Sequence, residues 1–145
     1  MINGMIEAIS VALNEEFGDE YEIYRESVRQ DLKEPCFFIQ VLNPTVKQVI
    51  KNRYFRSNQF CIQFFPESVE KRKECEDVAE RMLWCLEYIH LEGEETPVRG
   101  TQMHGEIVDD ILHFFVNYDC YVHKSIEADP SMEILESKEQ VKEGE

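Results

Sequence analysis

No apolar run in this sequence exceeds five residues, which excludes a membrane-spanning helix. The opening Met1-Ile2-Asn3-Gly4-Met5-Ile6-Glu7 has neither a basic start nor an apolar core. No secretory signal is therefore expected, and synthesis in the cytoplasm is. Basic residues are scarce, 15 against 30 acidic ones, and the formal charge is −15. A domain built to grip phosphates needs the reverse balance, so neither specific nucleic-acid binding nor docking on an anionic membrane is expected. No two of the five cysteines (Cys36, Cys61, Cys75, Cys85, Cys120) stand in a Cys-x-x-Cys pair, and their number is odd. That pattern suits neither a disulfide framework nor a zinc site, and reduced, packed thiols are expected instead. Also missing are a glycine-rich phosphate loop, a dinucleotide fingerprint, a nucleophile elbow and an H-E-x-x-H helix, so no cofactor is expected.

What is present suffices for one domain. At 145 residues, 43% hydrophobic and 11% aromatic, the chain can bury a core of its own. Ile2, Met5, Ile6, Ile9, Leu13 and Phe17 recur at spacings of three and four, which predicts a helix over 2–17, capped by Asn3 and stopped by Gly18. Strands are expected at Tyr21–Val28, Cys36–Leu42, Thr45–Ile50 and Gln59–Phe65. Asn43-Pro44 reads as a turn and Asn52–Asn58 as a hairpin region. Ser68 is the expected N-cap of a long helix reaching about His90. Val98–Val108 and Ile111–Val122 then form a hairpin around Asp109-Asp110. In its second strand, Leu112, Phe114, Val116, Tyr118, Cys120 and Val122 alternate with a half-polar set, a period of two held over twelve residues. The half-polar set retains Ile111, Phe115 and Tyr121, which suggests that something covers that face too. The expected fold is α+β, an antiparallel sheet of about five to six strands with two helices on one face, forming a single domain over residues 1–124. Residues 125–145 hold seven acids and two lysines, and a mostly disordered acidic tail is expected there.

Few groups suggest chemistry. His104 and His113 flank the Asp109-Asp110 turn about equally, and a metal site is conceivable. Turn carboxylates and ordinary strand histidines explain the same residues more simply. Cys120, His123 and Asp119 imitate a nucleophile set, but strand alternation puts the thiol on the opposite face from the other two.

The most informative feature is electrostatic. Pro35 through Pro66 contains no acidic residue and carries Lys47, Lys51, Arg53 and Arg56, a local charge of +4 that leaves −19 for the rest. A solvated basic hairpin would explain it, as would a nucleic-acid patch in a repelling field. The sharper reading is an assembly surface in which a basic loop meets an acidic face on the next copy, giving rings or filaments.

Four segments resemble a known family. They are Pro35-Cys36-Phe37-Phe38-Ile39; Asn52-Arg53-Tyr54 with Phe60-Cys61-Ile62-Gln63-Phe64-Phe65-Pro66; Val98-Arg99-Gly100-Thr101 with Glu106-Ile107-Val108-Asp109; and Leu112-His113-Phe114-Phe115-Val116-Asn117-Tyr118-Asp119. In order and combination they are similar to tail terminators of long-tailed phages and prophages of Gram-positive bacteria, over about residues 2–124. The resemblance implies a structural, non-enzymatic virion-tail protein. Such a protein forms a ring, usually a hexamer, on the finished tail tube, and contacts the tube protein and the head-tail connector. It carries over no catalytic residue. Lys47, Lys51, Arg53, Tyr54 and Arg56 are the candidate interface residues. A related head-completion or connector protein, or a metal-dependent host enzyme using His104, His113 and Asp109-Asp110, are the alternatives.

Overall fold

The computed structural model describes residues 2–25 and 32–124. The proposed acidic tail lies outside them. Helix α1 (Ile2–Phe17) buries Met5, Ile6, Ala8, Ile9, Leu13 and Phe17, the stripe that the spacing predicts. Asn3 lies within the helix and does not cap it. Gly18 ends it at φ +92°, its N–H returning to the Asn14 carbonyl at 2.9 Å.

The remaining elements are β1 (Glu22–Tyr24), β2 (Cys36–Ile50), β3 (Arg53–Phe65), α2 (Lys71–Cys85), β4 (Tyr88–Ile89), β5 (Val98–Val108) and β6 (Ile111–His123). The six strands form one sheet in the order β1-β2-β3-β6-β5-β4, a curled half-barrel. Every neighbouring pair is antiparallel except β1 with β2, which is parallel.

Three further sequence expectations are corrected. First, Asn43-Pro44 is no turn. Cys36–Ile50 is one strand with a register shift between Leu42 and Thr45. A bulge on a strand edge accepts proline because no ladder donor is lost there. Second, the hairpin expected at Asn52–Asn58 is present, but most of that stretch is already strand. The reversal is confined to Lys51-Asn52, with Lys51 at φ +47°, and β3 begins at Arg53. Third, α2 starts at Lys71, and Glu70 rather than Ser68 precedes it. Glu74 in its first turn accepts from the Ser68 N–H at 2.9 Å, tying the loop to the helix start. The helix stops at Cys85 because the next residues pair elsewhere: Tyr88 with Arg99 and Ile89 with Val98.

Both helices pack on one face of the sheet. Phe37, Ile39, Phe60, Ile62, Phe64, Leu112, Phe114, Val116 and Tyr118 point into a common core with the buried stripes of α1 and α2. Phe37 is its aromatic centre, 5.0 Å from Phe17 and 5.1 Å from Phe64 between ring centroids. Arg81 of α2 holds α1 through Glu16, its Nε donating to the carboxylate at 2.9 Å, and lies over the Phe17 ring. On the other face Phe38 and Cys61 are buried while Tyr121 is exposed. Among the described residues the cover suggested for that face is not a helix.

The junction of α2, β5 and β6 is tight. The Tyr118 hydroxyl donates to the Leu86 carbonyl at 2.6 Å, and the Gly100 N–H donates to the Glu87 carbonyl at 2.7 Å. A Cβ on Gly100 would lie 2.9 Å from the Leu86 carbonyl oxygen and 2.9 Å from Val116 Cγ2. Gly100→Ala is therefore expected to lower stability by about 1–3 kcal/mol, read as a lower urea midpoint. Gly105→Ala should cost less, because its new methyl meets the movable end of Leu112 at 3.2 Å.

Candidate functional site

Beyond the helices the sheet continues as a three-stranded arm. It consists of the ends of β2 and β3 with the last residues of β6: Thr45 pairs with Ser57, Lys47 with Phe55, Phe55 with Tyr121 and Arg53 with His123. Residues 43–51 are exposed throughout. On its outer side β2 is covered by β1 only at Cys36, Phe37 and Phe38, so among the described residues the remainder of that edge has no strand partner.

The five candidate residues all lie on this arm but not on one face. Cross-strand partners share a face. Lys47 and Arg53 therefore lie with Phe55 and Tyr121, while Tyr54 and Arg56 lie with Gln48 and Val46 on the helix side. Lys51 sits in the turn. The Arg53 guanidinium rests 4.6 Å over the Tyr121 ring, and Tyr121 in turn meets Phe55 edge-on at 5.1 Å. Arg56 is half-buried, and its Nε has no hydrogen-bond partner among the described residues. Apolar side chains are interleaved with the charges: Val46, Val49 and Ile50 are all more than half exposed.

A second feature gave no sequence signal beyond two apolar residues off the expected stripes. Between α1 and β4 lies a groove of about 430 Å³, lined among others by Val11, Glu15, Glu16, Tyr88 and Ile89. Val11 and Tyr88 are each about half exposed. Glu16 is engaged by Arg81, whereas Glu15 makes no ion pair among the described residues. In sequence, Glu87 precedes β4 and Glu92, Glu94 and Glu95 follow it, outside the groove lining, which includes His90. Trp84, the one tryptophan, stands 72% exposed on α2.

A family model for phage tail terminator proteins matches residues 4–130. The chain belongs to the phage tail terminator family. It is thus a phage tail protein of a structural family, and the match takes in both helices, the whole sheet and the arm. No curated protein matches the chain.

The candidate catalytic residues of this terminator fall in a turn and on the two faces of the sheet. Asp109 and Asp110 form the β5–β6 turn, both at positive φ (+54° and +64°). That is the backbone of a two-residue hairpin turn, which aspartate tolerates without glycine. His104 stacks on Phe115 at 4.9 Å, and His113 Nδ1 lies 3.3 Å from Gln63 Nε2. Among the described residues, no cluster of three or more metal-ligating side chains is present. Cys120 pairs with Arg56, whereas Asp119 and His123 alternate to the opposite face, as strand geometry requires. Among the described residues no disulfide joins any of the five cysteines. Burial pushes Cys36 and Cys61 each up to about 11 and Cys85 to about 12, with nearby carboxylates adding to the effect. Such thiols are poor nucleophiles at neutral pH. Among the described residues no helix is long and apolar enough to cross a membrane.

Proposed function

We propose that this protein ends the growth of a phage tail tube. Copies close into a ring, a hexamer on the family resemblance, on the finished tube, and the ring offers its outer surface to the head-tail connector. It works by contact alone, without catalysis or cofactor. It is made in the cytoplasm of the bacterial host and resides in the virion tail. The observation that carries the reading is the exposed basic arm on a chain that is otherwise strongly acidic. Head-to-tail closure needs two unlike, complementary surfaces on each copy, and this charge division supports such a pair. Lys47, Lys51, Arg53, Tyr54 and Arg56 are the proposed contacts to the next copy or the tube. The net charge of −15 also suits a passage for DNA, since like charge keeps phosphate from adhering to the wall.

The test is to add the purified protein to polymerising tube protein and measure tube lengths by electron microscopy. Capped tubes of restricted length are expected. Tubes that lengthen as freely with the protein as without it overturn the proposal.

A further inference from the structure

We infer that the receiving surface for the arm is the groove between α1 and β4 on a second copy of this chain. The inference rests on the ring reading above and supplies the half that reading leaves open, namely what the arm enters.

The tip of the arm carries exposed Val49 and Ile50 beside Lys51 and Arg53, with Lys47 on the Arg53 face and Val46 on the helix side. The groove offers the converse: Val11 and Tyr88 as apolar lining with Glu15 beside them, while Glu87, Glu92, Glu94 and Glu95 follow close by in sequence, outside the lining. Aliphatic side chains fill a space of this size, while rim charges of opposite sign fix the register and speed the encounter. Glu15 has no cation of its own among the described residues and is the natural partner for Lys51 or Lys47.

Position makes the second copy the occupant. In the strand order β4 stands four places from β2, about 19 Å across the sheet at the usual strand spacing. The two surfaces therefore share no strand, and head-to-tail closure needs two such distinct surfaces on each copy. Docking through side chains is favoured over pairing along the open edge of β2. Pro44 removes a donor from that edge, the register shift beside it breaks the ladder, and Lys47 adds charge there.

The test uses two single-cysteine additions at exposed positions, Ile50→Cys and Tyr88→Cys, and a short bis-maleimide. The native thiols are buried or half-buried with raised pKa values, and because Cys85 lines the groove itself both variants are made on a Cys85→Ala chain. Mixing the two variants should give a cross-linked dimer that neither variant gives alone. The chain carrying both changes should give a ladder that stops at a fixed number of copies. Charge exchange supplies the second reading. Lys51→Glu and Glu15→Lys should each weaken self-association by about tenfold, and together they should restore it. If the mixture gives no hetero-dimer while the unaltered chain sediments as an oligomer, the groove is wrong and the ring stands. If Ile50→Cys links to tube protein and not to this chain, the arm serves the tube and the inference fails. If the unaltered chain neither self-associates nor collects on tube ends, the ring reading falls and this inference with it.

Discussion

Chains carrying Lys47→Glu and Arg53→Glu together are expected to fold and to melt within a few degrees of the unaltered protein yet to lose assembly. The two reversals change the patch from +4 to zero. Opposed like charges at a contact cost several kcal/mol, so association should fall by about 100-fold or more. The fold survives because Lys47 is exposed and Arg53 gives up only its seat over Tyr121, worth about 0.5–1 kcal/mol at an exposed site. Salt is the discriminating variable. Raising ionic strength should dissociate assemblies of the unaltered chain and make little difference to the variant. Sedimentation across a salt series reads this, and an equal salt response in both chains would remove the arm from the interface. Arg56 is a poorer site for such reversal. It is half-buried on the helix side, so a glutamate there would disturb the fold along with the contact.

The second large effect is loss of stability at high pH. Cys36 and Cys61 are nearly fully buried, and burial raises both thiols from 9.0 to about 11. Glu34 and Glu22 add to the rise at Cys36, and Glu106 at Cys61. Below pH 9 each thiol holds its proton folded or unfolded, and the fold suffers nothing. Above pH 9 the unfolded chain releases the proton while the folded chain retains it. Stability then falls until the folded group also ionises, near pH 11. The slope is about 1.4 kcal/mol per pH unit for each thiol, so the pair removes up to about 5 kcal/mol across that window. A domain has about 5–15 kcal/mol in all, so the chain should approach unfolding by pH 11. Burial also raises Tyr118, which adds to the loss above pH 10. Urea midpoints at pH 8, 9, 10 and 11 should decline steadily after the second point. A Cys36→Ala, Cys61→Ala chain should decline less steeply, and an unchanged slope would refute the assignment to these thiols.

Where one physical rule acts alone, the fold is legible in the sequence. The alternation from Leu112 to Val122 predicts β6 because one face is buried and the other half-open. The three-and-four spacing of Met5, Ile6, Ile9 and Leu13 predicts α1 for the same reason. Legibility fails where two rules compete. Leu86 and Ile89 continue the helical stripe, yet Ile89 pairs with Val98 and the Leu86 carbonyl is taken by Tyr118, so sheet pairing ends α2 early. Pro44 signals a turn by itself, and only the open edge of β2 lets it stay inside a strand. The parallel pairing of Glu22 with Cys36 depends on where the chain returns, which no local pattern states. The basic stretch was visible as composition, but its division between two faces required the register. The groove is not legible as such, because its lining includes Val11 and Tyr88, 77 positions apart in sequence and brought to one groove only by folding.

The exposure of Trp84 has a practical optical consequence. An indole already bathed in solvent emits near the red limit while the chain is native, so denaturation has little further shift to give. Melting curves followed through the emission maximum of this fluorophore will look almost flat, whatever happens to the core. A blue change in its colour would announce something else: water being displaced from α2 by an arriving neighbour.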